Sequence, residues 1–582
     1  MNASPRLLAA ALAALGLAAA APAGAGAQGL PTMPLANVAP GMHCTVYSVL
    51  RGTTISTFDA DVVDVVGSEE TGEGPRILIR VSGPAIDATG VGPGFSGSPI
   101  LCPGADGVQR EIGAISESTG DQTNHLVLAT PIEAILSEPL TPRDRARVSS
   151  RRVRSGRPLE ALSVTGVSPW LADAMQAGAK RAGRTLFAAP VARVADFAPV
   201  DLQPGSAVAV GIASGDIDES AIGTVAYRDG STIWAFGHAD DDAGARSLLL
   251  QDAYVYSIID TPGDSGGSFK YSAPGHSIGT LFNDADNAVV GQLGALPRTF
   301  PLDVSTHDAD RGGTTHLHLD VTDESALSDP AGDSSLRLAG TTAVVQAATV
   351  DGVPNRQTAT MCVRITLRRR KAPLGFCDRY LTDGHGSLDT TGIDTGPAVA
   401  GLVGRDFDAA IAAIDGNTFA NLAPERVSVS LTLHRGLSQG YLLAARAPRR
   451  VRRGRRIAVK VAVRQFRGPI TVRTLHVRVP RSLRPGGYLL AISGKGLDEP
   501  SSPPELADLF GSIFSGGSGP QRGVTSMPEL AARISAIHHF DGLRLDWISG
   551  EGTGSRRGLA RVPVASERIS GATGTIVRVV KG

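Results

Sequence analysis

Two short stretches hold residues suited to nucleophilic chemistry. The first is Gly94-Phe95-Ser96-Gly97-Ser98-Pro99-Ile100. A reactive serine needs little bulk beside it. Glycines let the chain turn tightly and let consecutive N–H groups converge on one point. In such a turn the N–H groups of Gly94 and Ser96 would form an oxyanion hole. The second stretch is Trp234-Ala235-Phe236-Gly237-His238-Ala239-Asp240, with His238 at the end of an apolar strand. An imidazole presented by a rigid strand suits a general base, which a serine hydroxyl needs before it can attack. Each stretch alone also reads as something plainer: a Gly/Ser/Pro turn, or a loop histidine.

A second serine competes for the role. Gly263-Asp264-Ser265-Gly266-Gly267 reproduces the "GDSGG" of trypsin-like proteases, and His43-Cys44 mimics their histidine motif. Ser265 and His43 lie far apart, with the "SGSPI" motif and a basic segment between them, and a bland Gly-rich loop fits the context better. His316 and His318 share a strand face, and Asp59 and Asp61 another, but neither set has the spacing of a metal site. Neither a metal nor a cofactor is expected, and no phosphate-binding or dinucleotide fingerprint is present.

These side chains need elements to hold them. "TVYSVLRGTTISTFDADVVDVV", "RILIRVSG", "REIGAISES" and "HLVLATPIEAIL" read as strands, the last running into a short helix near Ile132. "AIGTVAYRDGSTIWAFGH" reads as a hairpin turning at Asp229-Gly230. Residues 141–157 are basic and poor in apolar side chains, as a solvated linker is. From about 446 regular strands and turns suggest an immunoglobulin-like sandwich, with short amphipathic helices near 503–515 and 527–538. The 582-residue length calls for more than one core, and abundant Gly (70) and Pro (37) suit a turn-rich β protein. A formal net charge of +0 gives no pull toward nucleic acid or membrane.

The N-terminus has the layout of a secretory signal peptide: Arg6, an apolar run from Leu7 to Ala21, and small residues at Ala25-Gly26-Ala27. The run is short for a membrane span, and no later segment is long and apolar enough for one. Export makes disulfides the natural use of Cys44, Cys102, Cys362 and Cys377. Four cysteines allow three pairings; nearest neighbours give Cys44–Cys102 and Cys362–Cys377, and free buried thiols are the alternative.

Taken together, "SGSPI", the "GH" of Gly237-His238 and the strands around them resemble the SpoIVB sporulation peptidase family, family fifty-five of the serine peptidases. The resemblance spans residues 40–305. It implies an all-β, chymotrypsin-like double β-barrel and a mechanism in which His238 takes the proton of Ser96. Here the two halves stand in reversed order and no PDZ domain precedes them, so the barrel would be circularly permuted. The family's aspartate position reads Val81-Ser82-Gly83, without a carboxylate. Asp87 is the nearest substitute, and Asp240 or Asp252 could approach from the other half.

The chain then divides into a signal peptide (1–27), a first barrel half (28–140), the linker (141–157), a second barrel half (158–310), a β-rich domain with Cys362 and Cys377 (311–445) and an immunoglobulin-like domain with short helices (446–582). The resulting expectation is an exported serine endopeptidase acting on a protein or peptide. The alternatives are a peptidase-like scaffold without activity and a trypsin-like site using Ser265.

Overall fold

The computed structural model describes residues 29–67, 74–120, 125–141, 157–189, 197–260, 268–327, 335–350, 352–354, 356–382, 399–494, 505–515, 523–537, 543–549 and 567–581. The signal-peptide segment, most of the basic linker and Ser265 lie outside the described residues. Among the described residues 52% lie in strands and 16% in helices, so the fold is mostly β.

The first six strands are β1 (His43–Arg51), β2 (Thr54–Val66), β3 (Arg76–Ser82), β4 (Pro99–Pro103), β5 (Gln109–Ser118) and β6 (Leu126–Pro131), followed by the short helix α1 (Ile132–Leu136). Pairing runs β4-β1-β2-β3-β6-β5, and β5 pairs back to β4, so the six strands close into a barrel. Alternation along the strands fills its interior with Val46, Phe58, Ile77, Ile79 and Ile100, and Phe95 of the β3–β4 loop packs among them. The Cys44–Cys102 disulfide joins β1 to β4 inside this core. A two-residue strand, β7 (Arg157–Pro158), extends the sheet from β5.

The next elements are β8 (Leu162–Thr165), α2 (Pro169–Arg181), β9 (Leu186–Ala189), β10 (Ala207–Gly215), β11 (Asp218–Asp229), β12 (Thr232–Ala235), β13 (Gly244–Ile259), β14 (Phe269–Ala285) and β15 (Ala288–Leu293). Six of these close a second ring, in the order β10-β13-β14-β15-β12-β11 and back to β10. The β11–β12 hairpin forms as expected but turns one residue later. Asp229 pairs with Thr232, leaving Gly230-Ser231 as the loop. Positive φ falls on Gly230 (+57°) and not on Ser231, the pattern of a type II′ turn in place of type I′.

The expected boundary near residue 310 falls inside a continuous sheet. Strands β16 (Thr299–Asp308), β17 (Thr314–Thr322), β18 (Gln357–Leu367), β19 (Leu374–Thr382) and β20 (Pro424–His434) extend the second ring through the β10–β17 pair. β20 lies parallel to β16 across more than a hundred residues of sequence. Cys362 and Cys377 face each other on β18 and β19 and are disulfide-bonded. Two buried helices, α3 (Ser335–Ala348) and α4 (Val399–Asp415), share the core of this sheet, so the region is not built of strands alone.

The C-terminal strands are β21 (Gln439–Arg446), β22 (Arg450–Arg452), β23 (Arg456–Gln465), β24 (Ile470–Arg478), β25 (Gly486–Gly494), β26 (Leu543–Ser549), β27 (Arg568–Ser570) and β28 (Ala572–Val580). They form two four-stranded sheets around a separate core that includes Val459, Val461, Leu490 and Trp547. Each sheet contains one parallel pair, β21–β27 and β22–β28. The helices α5 (Leu506–Phe514) and α6 (Met527–Ser535) form where amphipathic patterning places them. They leave this core, however, and pack on α2, α4 and β19. Among the described residues no helix is long and apolar enough to cross a membrane.

Candidate active site

Ser96 sits on the loop from β3 to β4, and His238 follows β12. The loop is wedged between the two rings. Every residue from Val91 to Ile100 is buried. Gly97 donates its N–H to Ile115 O of the first barrel at 2.7 Å, while Ser96 O accepts from Thr224 N of the second ring at 2.8 Å. Gly97 shows why glycine is required. Its φ is +88°, and a Cβ there would lie 1.9 Å from Thr224 O and 2.5 Å from Phe236 N. The close approach is to the other ring's backbone.

The histidine turn is held from both sides. Thr130 on β6 donates its hydroxyl to Gly237 O at 2.6 Å, and Phe236 donates its N–H to Thr224 O at 3.2 Å. Phe236 and Gly237 both have φ of +69°, an unusual conformation for an aromatic residue. The Ser96 and His238 segments are thus brought against each other through Gly97, Gly223, Thr224 and Phe236.

The imidazole has a definite orientation. His238 Nδ1 lies 2.6 Å from Ala239 O. A carbonyl can only accept, so Nδ1 carries the proton and Nε2 is the basic nitrogen. That is the tautomer a general base toward a serine requires. In a serine triad a carboxylate performs this orienting task; here a backbone carbonyl occupies the Nδ1 side.

Of the three carboxylates considered for that task, two are engaged elsewhere, and the third, Asp240, leaves its Oδ1 without a hydrogen bond among the described residues. Asp87 is exposed and accepts from Gly83 N at 2.7 Å, closing the turn after β3. Asp252 is fully buried and accepts from Val200 N (2.9 Å) and from His276, whose Nδ1 lies 3.1 Å away. Asp240 anchors the loop by donating its N–H to Asp284 at 2.7 Å. His43 pairs with Asp61 on the exposed end of β1. His318 pairs with Asp303 at 2.8 Å.

Around Ser96 the donors sort themselves. The N–H groups of Phe95, Gly97 and Ser98 bond to Gly92 O, Ile115 O and Phe95 O. Those of Gly94 and Ser96 donate to no acceptor among the described residues. Ser96 Oγ is likewise buried without a hydrogen bond among them. Such a pair of N–H groups beside an uncommitted hydroxyl can stabilise a developing oxyanion. Both Ser96 and His238 are covered, with 1% and 2% of their surface exposed.

Beneath the serine loop lies a lysine that the sequence did not single out. Lys270 on β14 is 2% exposed and donates from Nζ to Ser48 Oγ (2.7 Å) and Thr224 Oγ1 (3.0 Å). Ser48 in turn shares a hydrogen bond with Ser98 (2.8 Å), and Thr224 donates to Gly94 O at 3.1 Å. Nζ also stands 4.6 Å from the centre of the Phe95 ring. Desolvation by burial pushes the amine down to about 7, so near neutrality it is readily uncharged. The signal in the sequence was its phase: along β14, Lys270 and Ser272 face inward.

No protein-family model, curated protein or solved structure matches this chain.

Proposed function

We propose that the chain is an extracytoplasmic serine peptidase of the SpoIVB type, its two barrel halves in permuted order. The single observation that carries this reading is the meeting of the serine turn with the Phe236–His238 turn, the imidazole being oriented with Nε2 as its base. Two six-stranded rings with the serine loop packed between them are consistent with a chymotrypsin-like double barrel. His238 Nε2 would take the proton of Ser96 Oγ as the oxygen attacks a peptide carbonyl carbon. The N–H groups of Gly94 and Ser96 would hold the oxyanion. Collapse of the tetrahedral intermediate passes the proton from His238 to the leaving amine and leaves an acyl-enzyme, which water hydrolyses by the same steps. With a carbonyl in place of the acid, turnover falls by up to about 10⁴ relative to a full triad. The two disulfides fit an oxidising compartment outside the cytoplasm. The paired C-terminal sheets, read as an immunoglobulin-like sandwich, would position substrate or tether the enzyme.

One observation favours a second reading. Ser96 and His238 are almost wholly buried, and a peptide reaches them only if the surrounding loops part. A scaffold that kept the barrel and lost the chemistry needs no such opening. Incubation of the mature chain with a protein substrate mixture, followed by mass spectrometry of new termini, separates the two. The peptidase reading requires cleavage that Ser96→Ala and His238→Ala abolish and Ser265→Ala leaves intact. Cleavage lost only in Ser265→Ala assigns the nucleophile to the other serine, and no cleavage by the wild type favours the scaffold.

A further inference from the structure

A cavity of about 400 Å³ lies between β8, β10, β11 and the helices α2, α3 and α5. That is near the small end of the size range of ligand pockets, roughly 300–1,000 Å³. Its walls are apolar, with Leu162, Val164, Met175, Ile212 and Phe514 among them. Polar and charged residues also line it, among them Glu219, Ser220, Asp240, Asp241, Arg184 and Arg246.

Charge around the cavity is unbalanced. Arg184 is committed to Glu160 and to Asp241, the latter at 2.8 Å. Arg246 is committed to Glu324 at 2.8 Å, with Asp241 at 3.5 Å. Asp284 is occupied by the N–H groups of Asp240, Asp241 and Ala243. Neither cation forms an ion pair with Glu219 or Asp240, although the charge of Arg184 acts on the Asp240 carboxyl from nearby. Glu219 is 3% exposed, and neither of its oxygens accepts a hydrogen bond of normal geometry. The Thr342 hydroxyl beside it holds the carboxyl down slightly but donates to Leu338 O. Ser220 Oγ and Asp240 Oδ1 are also without partners among the described residues. A buried carboxyl left in this state costs several kcal/mol if charged. Burial accordingly pushes Glu219 up to about 7.

We propose that this cavity is a binding site for a small organic ammonium: an apolar body against the aliphatic and aromatic walls, with its –NH₃⁺ held by Glu219 and Asp240. The N–H donors of the ammonium would satisfy the unpartnered oxygens of the two carboxyl groups. The apolar walls exclude a bare metal ion, which needs more oxygen ligands than the cavity offers. The site stands apart from Ser96 and does not rest on the peptidase reading. Asp240 nevertheless lies two residues beyond His238, so an occupant would contact the loop that carries the histidine.

The test is calorimetric titration of the mature chain with 2-phenylethylammonium chloride and, separately, with 3-phenylpropanol, a neutral molecule of similar shape. The ammonium should bind at least tenfold more tightly than the alcohol. Glu219→Gln should weaken the ammonium at least tenfold while leaving the alcohol within about threefold. A wild-type chain labelled with [13C-methyl]methionine gives an independent check, because the Met175 methyl resonance should shift on saturation with the ammonium. Equal binding of the two compounds, no binding of the ammonium, undiminished binding by Glu219→Gln, or an unmoved Met175 resonance overturns the proposal.

Discussion

Lys270 makes a quantitative prediction possible. In the fold its amine is held at about 7 by burial, against an ordinary value of 10.5 in the unfolded chain. Between those values the unfolded chain binds one more proton than the folded chain, so stability rises with pH across that window. Below pH 7 both states are protonated and the full penalty applies, about 5 kcal/mol for a shift of this size at 1.36 kcal/mol per pH unit. Between pH 7.5 and 9.5 the linkage amounts to roughly 2 to 3 kcal/mol of added stability. Lys270→Met keeps the side-chain bulk and removes the titrating group. Ser48 keeps its bond to Ser98, and Thr224 its bond to Gly94 O. The assay is urea unfolding followed by tryptophan fluorescence, with Trp234 on β12 reporting on the ring that contains Lys270. Titration of the tyrosines near Lys270, Tyr256 and Tyr271, is common to both proteins and cancels in the comparison. The wild type should gain roughly 2 to 3 kcal/mol more than Lys270→Met between the two pH values. Parallel pH profiles for the two proteins would refute the assignment of a buried, readily neutral amine.

Other outcomes follow from the packing. Gly97→Ala drives a methyl into Thr224 O at a positive φ, so it should cost more than about 3 kcal/mol, measured as a lowered urea midpoint, or prevent folding outright. Replacing Cys44 and Cys102 together by serine releases a 58-residue loop and should cost roughly 4 kcal/mol on the chain-entropy account, read as a drop in Tm under non-reducing conditions. Glu111 is buried in β5 with no hydrogen bond to its carboxyl among the described residues, and desolvation pushes it well above the usual carboxylate range. A raised folded-state value in an acid lowers stability as pH climbs above the unfolded value, so Glu111→Gln should be the more stable protein at pH 8 and lose that advantage near pH 4. Denaturation midpoints at the two pH values check this.

The strands of the first barrel were legible because their burial alternates with period two, and the two turn motifs because glycine flanks a serine in one and precedes a histidine in the other. The cysteine pairing followed from proximity along the chain, and both pairs sit on directly neighbouring strands. The helices α3 and α4 were missed for a physical reason. α3 carries Thr341-Thr342 and Val344-Val345, β-branched residues that favour strands, and is buried on nearly every side, so no polar stripe marks its period. The continuous sheet across residue 310 depends on β16 lying parallel to β20, a pairing that local sequence does not encode. The orienting group of His238 was sought among carboxylates, whereas the acceptor beside Nδ1 is a main-chain carbonyl, which every residue carries and no motif distinguishes.

The most direct measurement is the position of a fluorophosphonate adduct. The protein would be treated with the probe, digested and mapped by mass spectrometry. The account predicts one modified serine, Ser96, with labelling lost in His238→Ala and retained in Asp87→Ala. An adduct on Ser265, or a Ser96 that stays unmodified while a control protease is fully labelled, would contradict it.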